Sequence, residues 1–249
     1  AEPTLLVPET TFAGAVDLAG GQSAQFLVEV PDNAYAIRFE LDRAQADLDL
    51  LLEGANGELL ALSESERYNE ELFLSRITDP ALSSGVFTLS VLYQYVDRPV
   101  VDGRELSSIP FDVRFVVVEA DAHADLRLGV ATSGTLLPEE GMLRTYRVIV
   151  DASVSELRFD IFDSAGDLDL FLNYGSPAVD PLAADYVSQS YLGRESLVVT
   201  RESRPPLRSG PYYVTVLDQI ENETAGSFSI IASADGVPEQ LLGPLAGLP

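Results

Sequence analysis

The sequence predicts an all-β protein built from two tandem antiparallel β-sandwich domains of jelly-roll-like type, over residues 1–121 and 122–249. Three observations carry this. The chain repeats itself once, its hydrophobic period within each copy is two, and Gly, Pro, Asn and Asp punctuate it at strand-length intervals. No long stretch carries a helical stripe, and seven or eight short strands in about 115 residues suit a sandwich.

The repeat is legible in order along the chain. Gly14 matches Gly134 and Gly21 matches Gly141, an offset of 120. "QFLVEV" (25–30) then matches "TYRVIV" (145–150), and "RFELDRAQADLDL" (38–50) matches "RFDIFDSAGDLDL" (158–170). After a five-residue insertion, "EELFLSRITDPALSSGVFTLSVL" (70–92) matches "ESLVVTRESRPPLRSGPYYVTVL" (195–217). Nine of those 23 positions are identical, Glu70/Glu195, Arg76/Arg201 and Gly85/Gly210 among them, which two copies of one domain explain better than chance. "FDVRFVVV" (111–118) matches "FSIIASAD" (228–235) loosely, and the boundary is expected in "EADAHADLR" (119–127). Within a strand the alternation assigns faces: Phe39 and Leu41 point inward, Arg38 and Glu40 outward.

Composition narrows the function classes. The net charge is −25, which disfavours nucleic acid and anionic membranes as partners. All fifteen basic residues are arginine. There is no cysteine, hence no disulfide and no thiolate metal site. No apolar run approaches the roughly 18 residues a membrane-spanning helix needs. "AEPTLLVPET" reads as a mature N-terminus left after signal-peptide removal, so a secreted, extracellular protein is expected.

The strand ending in "VEVPDN", followed by "ADLDLLL", "SGVFTLSVL" and "FDVRFVV", resembles the bacterial pre-peptidase C-terminal domain. The second copy gives "VIVDAS", "GDLDLFL", "SGPYYVTVL" and "FSIIAS" in the same order. The resemblance spans roughly 12–118 and 132–233. It implies a non-catalytic secreted β-sandwich module of the kind that accompanies peptidases, related to collagen-binding-like modules. Some relatives bind calcium and extracellular matrix or polysaccharide. The chain departs from that setting in carrying no peptidase.

The two Asp-Leu-Asp-Leu runs pose the main chemical question. Asp47 and Asp49, and again Asp167 and Asp169, share a strand face while Leu48 and Leu50 enter the core. Paired carboxylates persist if water screens them, if N–H groups bond them, or if a cation sits between them. Calcium suits an oxygen-only set in irregular loops. Further oxygens are expected from Glu40, Asp42 or the "GANGE" turn in copy one, and from Asp160, Asp163 or Asn173 in copy two. The competing readings are a solvated acidic edge that blocks edge-to-edge pairing and a purely hydrogen-bonded role.

A catalytic reading finds little support. The one histidine, His123, falls in the expected linker, and no GxSxG elbow, HExxH, Walker loop or GxGxxG is present. Asp47 and Asp49 lie on one strand and cannot flank a glycoside from opposite sides. Tyr93, Tyr95, Tyr186, Tyr191, Tyr212 and Tyr213 are read as core or rim packing, or as a binding surface. "NET" (222–224) is a glycosylation sequon of no assigned role.

The apolar ends, "AEPTLLVPETTF" and "VPEQLLGPLAGLP", stand outside both copies. At least one of them is expected to dock on a sandwich edge, either its own or that of a neighbouring molecule in a homo-polymer. The expectation is a calcium-stabilised, non-enzymatic protein of extracellular assembly or adhesion, such as a filament or surface-layer subunit. The alternative is an accessory matrix- or polysaccharide-binding module beside a secreted hydrolase.

Overall fold

A computed structural model describes residues 3–65, 68–78, 80–138, 142–164, 166–178, 180–190, 195–218 and 226–236. The chain divides into two compact units, Ala1–Glu119 and Ala120–Pro249. Both are all-β, and helix among the described residues is limited to short 3-10 turns such as Pro181–Ala183.

The strands of unit one are β1 (Thr4–Leu6), β2 (Thr11–Asp17), β3 (Ser23–Val30), β4 (Ala34–Asp42), β5 (Asp49–Glu53), β6 (Leu59–Ser63), β7 (Glu70–Ser75), β8 (Gly85–Leu92), β9 (Val100–Val101), β10 (Arg104–Glu105) and β11 (Ser108–Glu119). They form a five-stranded sheet, β1-β3-β8-β5-β6, a four-stranded sheet, β2-β11-β4-β7, and a β9–β10 ribbon. Unit two has β12 (His123–Asp125), β13 (Thr132–Leu136), β14 (Leu143–Val150), β15 (Glu156–Phe162), β16 (Asp169–Tyr174), β17 (Tyr186–Ser188), β18 (Ser196–Thr200), β19 (Gly210–Leu217) and β20 (Gly226–Ala234). Its sheets run β12-β14-β19-β16-β17 and β13-β20-β15-β18. Strand for strand this is the order of unit one without the ribbon.

Register preserves the repeat to the residue. Phe26 pairs with Leu89 in unit one, and Tyr146 with Val214 in unit two, at the offsets of 120 and 125 read from the sequence. The alternation predicted for β4 holds: Phe39 and Leu41 are buried while Arg38 and Glu40 remain partly exposed. Each unit closes its own core, around Phe26, Phe39 and Phe115 in one and Tyr146, Phe159 and Phe228 in the other. The repeated glycines Gly14 and Gly134 admit an aromatic ring to the backbone. A Cβ on Gly14 would sit 2.6 Å from the Phe111 ring, and one on Gly134 would collide with Phe228 and the Tyr146 hydroxyl.

The N-terminal segment docks on a sandwich edge as expected: Thr4–Leu6 is an edge strand parallel to β3, with Leu6 buried beneath it. One expectation needs correcting: "EADAHADLR" is not a free linker. His123–Asp125 forms β12, parallel to β14, so the solvent-exposed His123 is a strand residue of unit two with its ring edge-on to Tyr213. A three-residue parallel edge strand is too short to show periodicity, which is why β12 was not visible. The C-terminal stretch 237–249, Tyr191 and the sequon lie outside the described residues.

Candidate carboxylate sites

Asp49 opens β5 and Asp169 opens β16, each next to the last residue of the adjoining strand, Leu92 and Leu217. Leu48 and Leu50 are buried in the core as the alternation requires, and Leu168 and Leu170 match them. The aspartates therefore face away from the core, yet both are only 8% exposed. Asp47 and Asp167 precede their strands in the incoming loop.

Loops β4–β5, β6–β7 and β8–β9 converge around the first pair. An open groove is lined by Asp47, Asp49, Glu64, Ser65, Gln94 and Tyr95. The Tyr95 hydroxyl donates to Asp47 Oδ2 at 2.6 Å, and Gln94 Nε2 donates to Glu64 Oε1 at 3.1 Å. Asp47 Oδ1 is buried with no hydrogen-bond partner among the described residues. Burial pushes the Asp49 carboxyl up to about 6, helped by the charges of Asp47, Glu64 and Glu70 and opposed by a hydrogen bond from Gln94.

Unit two repeats the arrangement with different neighbours. Asp167 Oδ1 is likewise buried and unpartnered among the described residues. Asp169 is pushed up to about 6, mainly by burial and then by the charges of Asp167, Glu195 and Asp218, against a Gln189 hydrogen bond. Asp218 is itself buried.

Beside each pair lies a feature the sequence reading missed. Glu70, 4% exposed, accepts hydrogen bonds from the Ser63 and Ser65 hydroxyls. Glu195, 2% exposed, accepts from the Ser188 hydroxyl and from the Ser190 amide and hydroxyl, the latter two at 2.8 and 2.5 Å. The signal was present: Ser63/Ser188 and Ser65/Ser190 obey the same offset of 125 as Glu70/Glu195.

The additional oxygens expected from the sequence are not gathered at the pairs. Glu40 and Asp42 belong to β4 and line a neighbouring groove with Ser63, Ser65 and Glu70. Glu40 is engaged by Arg38 at 2.6 Å and Arg114 at 3.3 Å. The "GANGE" turn follows the far end of β5. In unit two Asp160 is held bidentately by Arg158 at 2.7 and 2.8 Å, and Asp163 is exposed. Asn173 lies four residues along β16 from Asp169, about 13 Å at strand rise. In their place stand Glu64 and Glu70, and Asp218 and Glu195. Among the described residues no three His, Cys, Asp or Glu side chains converge tightly enough to cage a metal ion.

The donor chemistry at each pair is nonetheless that of a hard cation: carboxylate and amide oxygens, no sulfur, and one buried oxygen lacking a donor. Tyr93 is buried, its hydroxyl on the Asp97 carbonyl at 2.6 Å, while Tyr95 is half exposed, the two rings 5.5 Å apart. Both lie in the loop beyond β8 rather than on a strand. No described helix is long and apolar enough to cross a membrane.

Neither a protein-family model nor a curated protein matches the sequence. Solved structures do. A protein from Eubacterium rectale is 10% identical with a TM-score of 0.29, over 92% of this chain and 74% of its own. A periplasmic inhibitor of g-type lysozyme from Aeromonas hydrophila is 11% identical with a TM-score of 0.33, over 45% of this chain and 96% of its own. The chain is also similar to the pre-peptidase C-terminal domain of a collagenase from Bacillus anthracis, at 13% identity and a TM-score of 0.36, over 45% of this chain and 96% of that domain.

Proposed function

We propose that the chain is a secreted, non-catalytic tandem β-sandwich of pre-peptidase C-terminal type, stabilised by calcium and acting in extracellular assembly or adhesion. The single observation that carries the calcium reading is the buried Oδ1, without a donor among the described residues, found at the same place in both copies, on Asp47 and Asp167. Asp47 with Asp49, and Asp167 with Asp169, would hold the ion. Bound calcium would supply the positive charge that these buried carboxylates lack. Gln94, the hydroxyls and water would complete the oxygen set, since the described residues offer no third carboxylate close enough.

The chain's part is to keep each pair preorganised. Leu48, Leu50, Leu168 and Leu170 lock the backbone from the core side. The serine-bonded Glu70 and Glu195 add negative field from one flank. Calcium added to the chelated protein should raise the melting temperature by mass action. Asp47→Asn with Asp49→Asn should remove part of that rise, and Asp167→Asn with Asp169→Asn the remainder. A melt indifferent to chelator would leave the solvated-edge reading in place.

A second reading has its own support. Tyr95 is 50% exposed on the rim of the first groove and Val96 beside it is 94% exposed, as suits an accessory module that binds matrix protein or polysaccharide. Saturable binding of an immobilised polysaccharide, lost in Tyr95→Ala, would favour it over assembly.

A further inference from the structure

We propose that β1 is an exchangeable strand, so that Thr4–Leu6 of one molecule occupies the β3 edge of a second copy. The proposal rests on the assembly half of the function above and gives it a donor, an acceptor and a pivot.

The seat is small. β1 pairs only with β3, through Thr4↔Phe26, Leu5↔Leu27 and Leu6↔Val28. Leu6 is its one buried side chain, with Leu5 52% and Val7 56% exposed. One apolar anchor and a short parallel ladder keep it in place, with the Glu9 carboxylate just beyond it paired to Arg114 at 2.6 Å.

The pivot is strained, and unit two shows what an unstrained one looks like. In unit one the chain turns over Val7–Thr10: the Thr10 amide and hydroxyl donate to the Val7 carbonyl, at 3.3 and 2.6 Å, and the Glu9 amide donates to the Phe115 carbonyl at 2.8 Å. Unit two builds the same corner, with the Val130 amide on the Arg127 carbonyl at 3.2 Å and the Gly129 amide on the Ala232 carbonyl at 2.7 Å. The matching residues Glu9 and Gly129 both take a left-handed conformation, φ 60° and 76°. Glycine adopts it without steric cost, whereas the Cβ of glutamate is crowded there. Unit one thus puts a short strained hinge beside a weakly held strand, the combination that favours strand exchange. In the exchanged state every β1 contact is remade on the partner while the hinge is free to extend. β12 has glycine at its corner, so it lacks the strain that favours exchange.

The occupant is a second copy because the β3 edge is already matched, in register and in its Leu6 pocket, to this segment. The full chain has no cysteine, so introduced thiols report cleanly. Leu5→Cys chains mixed with Leu27→Cys chains and gently oxidised should give a covalent heterodimer whose yield rises with protein concentration. A single chain bearing both substitutions should close the bond internally on dilution. Failure to trap the heterodimer while the double variant closes would overturn exchange. Glu9→Gly, which relieves the corner, compared with Glu9→Gln, which weakens the ion pair to Arg114 but keeps the strain, gives a second readout without cysteine. Glu9→Gly should lower the oligomer fraction in light scattering several-fold relative to Glu9→Gln, and an unchanged fraction would overturn the role of the pivot. Oligomers without mixed disulfides would sink strand exchange alone, and a monomer at every concentration would sink the assembly reading with it.

Discussion

Unit one and unit two carry the same aspartate pair at the head of the same strand, yet they surround it differently. Glu64 in one becomes Gln189 in the other, and Tyr93 becomes Asp218. The segment beyond β8, residues 93–107, holds a ribbon, where eight residues, 218–225, separate β19 from β20. What both copies keep is the part the backbone depends on: the leucines beneath the pair, the serine-bonded glutamate beside it and the glycine that admits an aromatic ring. What differs is the set of groups that reach over the carboxylates from the loops. The comparison separates a shared scaffold from two individually tuned sites.

The largest expected effect tests the shared part. Glu195→Ala leaves the Ser190 amide and hydroxyl without their acceptor in a buried place, while the Ser188 hydroxyl keeps the Ser196 carbonyl at 3.1 Å, a loss on the order of 2–3 kcal/mol. Glu70→Ala strands two hydroxyls and should cost less, roughly 1–2 kcal/mol. Denaturant melts of the two variants measure both, and equal losses would mean that the two networks are equivalent despite their different contacts.

Next comes the ring-admitting glycine. Gly134→Ala meets both Phe228 and the Tyr146 hydroxyl, while Gly14→Ala meets the Phe111 ring alone. Overpacking of this kind costs about 1–3 kcal/mol, so Gly134→Ala should fall at the upper end and Gly14→Ala at the lower. A tolerated Gly134→Ala would show that the Phe228 ring can shift where the packing suggests it cannot.

The sequence made the scaffold legible because its signals are local and periodic. Alternation fixed the β4 faces, and the Asp-Leu-Asp-Leu runs set Leu48 and Leu50 inward. The missing parts were non-periodic or joined residues from separate loops. β12 is too short for a period of two to register, whereas β1 was legible as an apolar end suited to a strand edge. The Ser63–Glu70 and Ser65–Glu70 bonds span a loop, so serine looks like ordinary turn composition until both copies are aligned upstream of Glu70. Glu40 and Asp42 are near Asp47 in sequence but belong to the other sheet, whereas Gln94 and Tyr95 are far away in sequence and arrive by the β8–β9 loop. Separation along the chain misjudged which oxygens gather.

The aspartates make a pH prediction with a definite sign. Asp49 and Asp169 titrate near 6 in the folded protein against 3.8 ordinarily, so between those values the native state holds more protons than the unfolded one. In chelator, their contribution to stability is present below about 3.8 and is lost as pH rises through about 6. Asp151 and Asp235 act oppositely, being held low by hydrogen bonds from Ser153 and Ser155 respectively, and their contribution is lost as pH falls. The difference between wild type and Asp49→Asn or Asp169→Asn isolates the raised pair. Each Asn variant should gain melting temperature relative to wild type as pH climbs from 4 to 7 in chelator, and a flat difference would mean that burial does not penalise these charges.

The smallest effect falls at the phenol over Asp47. The Tyr95 hydroxyl occupies Asp47 Oδ2 at 2.6 Å, leaving Oδ1 as the oxygen without a donor. Tyr95→Phe removes one hydrogen bond from a half-exposed ring, so stability in chelator should fall by no more than about 1 kcal/mol. Its consequence for a cation is of opposite sign. With the phenol gone Asp47 Oδ2 is released, and a hard cation no longer competes with an O–H donor for it. Calcium titration calorimetry with Asp167→Asn and Asp169→Asn in place reads unit one alone, and Tyr95→Phe added to that background should tighten the Kd by a few-fold. Weaker binding would mean that the phenol orients Asp47 for the ion instead of masking it, which would make the unit-one loop part of the site rather than its rival.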